Sequence, residues 1–456
     1  RSRNETVLIQ LRNLMKRGAP DYEALVLDYT SAGRFEEALA VAELAIAQPV
    51  GEQTLLHYYK SWCLIRLGKT AEAQIAIATA EKEPADYCFP NALEAIEALQ
   101  CVVDFAGKAP KALYYLGNLW YDKRRYPTAI AAWERSSRED ETFPTVWRNL
   151  SLAYFNKMNR PDEAVALLEK AFRLDHTDAR VLMELDQLYK RLNRPHIERL
   201  CFLEQHIDIV MTRDDLYLEY VTLLNQTGQY REAIRRIDQR KFHPWEGGEG
   251  KVPAQYQLAR LELAKELIIR KKYDDALALI DECYIYPAHL GEGKLPGAQE
   301  NDFNYYKAYI LQQQGRPEEA HSLFVKACSG NSQPAAAMYY NDQKPDKIFY
   351  QGLAYRKLGE EEKARSRFNQ LITYGEEHLF DRFKMDYFAV SLPDLLIWED
   401  DMDKKNRIHC NYLMALGHLG LGNRTKAEHF FDIAASMDNN HQGVQIHRKL
   451  MNTILS

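Results

Sequence analysis

Two short stretches hold the residue types from which a polar site could be built. HPWEGGEGKVP, His243 to Pro253, and YPAHLGEGKLP, Tyr286 to Pro296, share Gly-Glu-Gly-Lys followed by one apolar residue and a proline. Their glutamates, Glu249 and Glu292, lie 43 residues apart. Gathered on one rim, the indole of Trp245, the carboxylates of Glu249 and Glu292 and the ammonium groups of Lys251 and Lys294 could stack on and hydrogen-bond a polar ligand such as a saccharide. The simpler reading is structural: the glycines turn the chain, and the charged residues pair with neighbours. A phosphate loop is excluded, because it needs Gly-x4-Gly-Lys-Ser/Thr between a strand and a helix, and here Val252 and Leu295 follow the lysines.

Other reactive side chains give weaker patterns. His409, Cys410 and His418 lack metal-ligand spacing, and no HExxH occurs, so neither a metal nor a cofactor is expected. GHLGLG, Gly417 to Gly422, lacks the preceding strand of a dinucleotide fingerprint and reads as helix packing and a turn. The seven cysteines are scattered with no CxxC, which predicts free thiols in a reducing, cytoplasmic setting. Arg231, Arg235, Arg236, Arg240 and Lys241 form a basic cluster, and Glu399, Asp400, Asp401 and Asp403 an acidic run, each read as a solvated helix face or end. A net charge of −6 argues against a general nucleic-acid binder. No apolar run approaches the ~18 residues that span a bilayer. No catalytic constellation is present, so the chain is not expected to be an enzyme on its own.

The elements that position these groups follow from a recurring unit, clearest in Tyr350 to Phe368. Gly352 is small where two helices must approach, Tyr355 follows, Gly359 turns the chain, and Ala364 and Phe368 fall on a second helix. A marker alanine recurs at Ala38, Ala73, Ala129, Ala164, Ala233, Ala276, Ala320, Ala364 and Ala427, with Glu198 standing in once. Early spacings are 34–35 residues, later ones 43–44, and gaps of 56 and 63 must hold extra structure. NALEAIEALQCVVDFA predicts an added helix in the first gap, and residues 376–403 an insertion in the second. Two short helices cannot bury their apolar faces alone, so such pairs must stack.

On these residues the chain resembles the tetratricopeptide repeat superfamily. The resemblance implies an all-α, right-handed superhelical solenoid of about ten helix–turn–helix repeats. We expect a regular array with an N-terminal helix over 1–240, then enlarged repeats with long loops and a C-terminal capping helix over 241–456, as one continuous solenoid. The family lines its concave groove from fixed positions of each first helix. Here these give Tyr114, Asn118, Tyr121, Asn225, Tyr305, Tyr309 and Arg356. A carboxylate clamp of the kind some members carry is matched only in part: Asn118, Asn149 and Arg180 fit, but Tyr114 and Glu184 stand where cations are expected.

A narrower resemblance rests on HPWEGGEGK, DYFAVSLPDLL (Asp386 to Leu396) and RIHCNYLMALGHLGLG (Arg407 to Gly422). These are similar to the C-terminal repeat region of bacterial proteins in which an aldose-epimerase-like β-sandwich precedes the repeats. The resemblance implies a C-terminal portion of a longer protein. Its expected partners are a protein, a peptide or that upstream sandwich, with a saccharide as the alternative, and neither nucleic acid nor membrane.

Overall fold

A computed structural model describes residues 10–11, 13–48, 51–245, 247–336, 342–382, 397–451 and 453. Among the described residues there is no strand, and the chain folds as an all-α helical-repeat solenoid. The expected N-terminal helix and the insertion expected at residues 376–403 lie partly outside the described residues. No helix among the described residues is long and apolar enough to cross a membrane.

The marker alanines explain the pairing. The second helices of the pairs are α2 (Phe35–Ile46), α4 (Thr70–Ala80), α7 (Tyr126–Glu139), α9 (Pro161–Leu174), α14 (Tyr230–Asp238), α16 (Tyr273–Cys283), α18 (Pro317–Ala327), α20 (Glu361–His378) and α22 (Arg424–Met437). In each, the alanine is the fourth residue and is at most 2% exposed. A methyl group there lets the first helix of the pair come close, and a large side chain fills the space beside it. A Cβ added at Gly352 would lie 2.4 Å from the Phe368 ring, and one at Gly117 would lie 2.2 Å from Trp133. Gly417 and Gly420 likewise face Phe368 and Ile372, so GHLGLG is a packing surface.

The chain divides into two compact units, Arg1–His176 and Thr177–Ser456. In the first, α1 (Ala19–Ser31), α3 (Thr54–Arg66), α6 (Pro110–Asp122) and α8 (Pro144–Met158) are the first helices. The predicted extra helix is α5 (Glu94–Ala106). Successive pairs are stitched by carboxylates as well as by apolar packing. Glu81, just after α4, accepts hydrogen bonds from the backbone of Lys111 (2.9 Å) and Ala112 (3.0 Å) and from the Tyr58 hydroxyl (2.8 Å). It therefore caps α6 from a neighbouring repeat, where α6 has no side-chain cap of its own.

In the second unit, α10 (Ala179–Arg191) pairs with α11 (His196–Gln205), and a short α12 (Ile207–Val210) follows. The first helices of later pairs are α13 (Asp214–Gln226), α15 (Lys251–Ile269), α17 (Asn301–Gln313), α19 (Pro345–Lys357) and α21 (Met402–Gly420). The last helix is α23 (Gln442–Met451). The fourth residue of α11 is Arg199, not Glu198. Helix α11 begins at His196, one residue later than the match between Asn193-Arg194-Pro195 and Asn159-Arg160-Pro161 implied. Glu198 is exposed, and Arg199 is 1% exposed.

Candidate interaction site

Arg199 occupies the place where every other second helix has a methyl group. Its guanidinium bonds Asp186 of α10 through two nitrogens, at 3.0 and 2.7 Å, and reaches Glu219 of α13 at 2.7 Å. Lys190 adds a second cation to Glu219 at 2.8 Å. Burial works against the charge on Glu219, but Lys190 and Arg199 outweigh it and hold the carboxyl at about 2. Burial raises Asp186 against the pull of Arg199.

The fourth contact of Arg199 is Asn440, whose side-chain oxygen accepts at 2.7 Å. Asn440 lies in the turn joining α22 to α23, and the whole turn is held by the start of the unit. Asn439 donates twice to Asn193, from its backbone N–H to the side-chain oxygen and from its side-chain amide to the carbonyl, the Asn440 amide donates to the Lys190 carbonyl (3.0 Å), and Gln226 donates to the Asn440 carbonyl (2.8 Å). Helix α23 continues the contact. Gln442 and Gln255 exchange two amide hydrogen bonds, and the Lys449 ammonium meets the Tyr230 hydroxyl at 3.1 Å. His447 packs against Phe349, Tyr350 and Tyr412, and its Nδ1 lies 3.1 Å from the Tyr412 hydroxyl. A second strap arises from the acidic run. Trp398, 1% exposed, donates to the Glu184 carbonyl (3.2 Å), and Asp400 pairs with Arg191 at 2.6 Å. Gln226, Arg191, Phe349 and Tyr412, at first-helix positions that the sequence assigns to the groove, are thus met by the chain itself in the second unit.

The site residues expected from sequence fall into three settings. In the first unit, Asn118 accepts from Trp133 (3.2 Å) and from Asn149 (3.0 Å), which links the first helices of two successive repeats. Tyr114 packs edge-on against Phe143, and half-buried Tyr121 packs against Tyr126 and Trp133. In the second unit, Asn225 is buried and donates to Gln255 (3.0 Å). Tyr305 is enclosed by Tyr306, Phe324 and Tyr350 and belongs to the packing between pairs. Tyr309 is half-buried, and Arg356 is engaged by Glu361 at 3.1 Å.

The rim residues form the third setting. The two Gly-Glu-Gly-Lys loops touch: the Gly250 N–H donates to Glu292 (2.7 Å) and the Phe242 N–H to the His289 carbonyl (2.8 Å). A cavity of about 280 Å³ lies between them, lined by His243, Trp245, Glu249, Leu290 and Glu292 among others. Burial raises the Glu292 carboxyl, and the charge of Glu249 adds to this. Exposed Lys251 opens α15, and Lys294 turns away to the Tyr284 carbonyl and the Glu300 carboxylate.

The basic cluster is largely taken up internally: Arg235 and Arg236 pair with Glu232, and Arg240 with Asp214. Among the described residues no group of His, Cys, Asp and Glu could hold a metal ion. His409 is tied to the Ala335 carbonyl at 2.7 Å.

Residues 348–374, covering most of α19 and most of α20, match the family model of the tetratricopeptide repeat. The chain carries a tetratricopeptide repeat. The pairs around it share its register, with the same small residue at the fourth position of the second helix. Solved structures similar to the chain include the Naa15/Naa10 complex bound to HypK-THB, at 12% identity over 93% of this chain and 64% of that one, with a TM-score of 0.33. A human IFIT1 dimer with m7Gppp-AAAA aligns at 12% identity over 92% and 90% of the two chains, with a TM-score of 0.31. A tetratricopeptide repeat protein from Parabacteroides merdae aligns at 15% identity over 66% and 99%, with a TM-score of 0.27. Nothing about partners follows from likenesses this loose.

Sequence reasoning missed the Arg199 cluster and the turn that it binds. The missing alanine was the available signal. A position that is otherwise always small, filled by a long cation, must have carboxylates built around it.

Proposed function

We propose that this tetratricopeptide array is a non-catalytic interaction scaffold whose protein or peptide partner seats on the groove-lining register of the first unit. One observation carries the reading: in the second unit Gln226, Glu184 and Arg191 of that register are bonded to Asn440, Trp398 and Asp400 of the same chain. The first unit instead presents the Asn118–Asn149 pair and half-buried Tyr121. Amide side chains bond a peptide backbone well, because each offers both a donor and an acceptor. The β-sandwich implied by the family resemblance is one form that such a partner takes. A random dodecapeptide library panned on the full chain tests the reading. Selected peptides are expected to lose binding with Asn118→Ala and Asn149→Ala together and to keep it with Arg356→Ala. The opposite pattern overturns it.

A second reading rests on the rim cavity, where Trp245 shares a wall with Glu249 and Glu292. An aromatic face beside carboxylates suits a saccharide, whose C–H face stacks and whose hydroxyls donate. Glycan-array binding by the full chain that disappears with Glu249→Ala and Glu292→Ala supports it; binding unchanged by both substitutions removes it.

A further inference from the structure

We propose that the cavity bounded by α1, the start of α3 and the segment leading into α5 receives a basic side chain, arginine or lysine, of the partner peptide. This rests on the first unit's groove being the binding face.

The cavity measures about 580 Å³ and is lined by Glu23, Leu27, Glu52, Leu55, Tyr59, Tyr87 and Phe89 among others. It lies in the groove register: Glu23 stands fifteen residues before Ala38, as Tyr114 does before Ala129 and Asn149 before Ala164. Its charge is unbalanced. Arg17 also lines the cavity, but its guanidinium is held by Asp21 at 2.7 Å. Among the described residues no cation pairs with Glu23 or Glu52, and Glu52 uses one oxygen to accept from the Thr54 N–H at 2.8 Å. Burial, and then the charge of Glu52, push the Glu23 carboxyl up to about 7.

Two half-buried carboxylates with no counter-ion among the described residues, walled by aromatic rings, are complementary to a cation on an apolar stem. The charge offsets the carboxylates, the rings add a cation–π contribution, and the methylenes cover Leu27 and Leu55. Tyr87 and Phe89 are 84% and 76% exposed, large rings left in water at the cavity mouth. A second cavity, about 730 Å³, is lined by Ile65, Leu93, Ile96, Glu97, Asp104 and Phe105 among others. A free C-terminal carboxylate, the group a cationic clamp grips, is repelled here.

The test uses the full chain and the same dodecapeptide library. Selected peptides are expected to share an arginine or lysine at one position, and replacing it by glutamine should weaken binding roughly tenfold or more. Glu23→Gln with Glu52→Gln should cost as much without changing helicity. Since Glu52 also bonds Thr54, the exposed Tyr87→Ala serves as a second variant, expected to weaken binding roughly three- to fivefold. Enrichment of peptides without a basic residue, no enrichment, or full binding by the glutamine variants overturns the proposal. Loss with the Asn118 and Asn149 variants but not with these leaves the groove reading standing and removes this one. Loss with neither removes both.

Discussion

The two units use one repeat grammar and treat the groove register in opposite ways. In the second, Arg199 and Gln226 bond Asn440, Asn225 reaches Gln442 only through Gln255, and Phe349 and Tyr412 meet His447. In the first, the same register carries Glu23, Asn118, Asn149 and two cavities. A shared repeat grammar therefore does not fix what an inner register meets; in the second unit part of it meets the rest of the chain.

Several perturbations sharpen this contrast. Deleting residues 439–456 strips the register of the second unit and is expected to cost more than about 5 kcal/mol, beyond the usual range of single substitutions. Hydrogen exchange should accelerate in α13, α15 and α19 and stay unchanged in α1–α9. Arg199→Met leaves Asp186 and Glu219 without their shared cation and should lower stability by about 3–5 kcal/mol in urea titrations. Adding Asp186→Leu and Glu219→Met should recover much of that, because the cost lies in stranded charge.

Acid should also separate the units. Burial lowers His447 and His409 to about 4. The groups acting on His447 are Asp346 and Glu262, which favour its charge, and Lys265, which opposes it. The unfolded chain takes up these protons first. The stabilisation is therefore complete above about pH 6.5 and is lost as pH falls toward 4, by about 1.4 kcal/mol per unit for each histidine. His447→Gln should flatten that loss in pH-dependent melting. Glu23 has the opposite sign: its raised carboxyl stabilises the first unit at low pH, and that contribution disappears as pH rises through about 7.

Smaller effects are expected in the first unit. Glu81→Ala removes the cap on α6 and should cost about 1–2 kcal/mol. Arg124 holds φ at 58° in a turn where other repeats place Gly228, Gly315 or Gly359, and some Asn159, Asn193 or Lys271. Arg124→Gly should raise stability by about 0.5–1 kcal/mol, seen as a slightly higher thermal midpoint.

Much of the fold was readable because its signals are local. Ala129, Ala320 and Ala364 are small where a helix crosses, and Gly352 and Phe368 are complementary in volume across one pair. The candidate site was less readable. Tyr305 has the register of a groove residue yet lies in the packing between pairs, because Phe324 and Tyr350 close over it. Arg199 was passed over because a one-residue change in where α11 begins moved the marker position from Glu198 to Arg199.

Alone, the sequence determined that this polypeptide builds stacked helical pairs, since a period near 34 residues with small and large side chains at fixed offsets can bury its apolar stripes in no simpler way. Which inner register meets its own chain was decided only in three dimensions. The partners there, Arg199 with Asn440 and Glu184 with Trp398, are more than 200 residues apart, and no periodicity links residues that meet only after the intervening repeats have stacked.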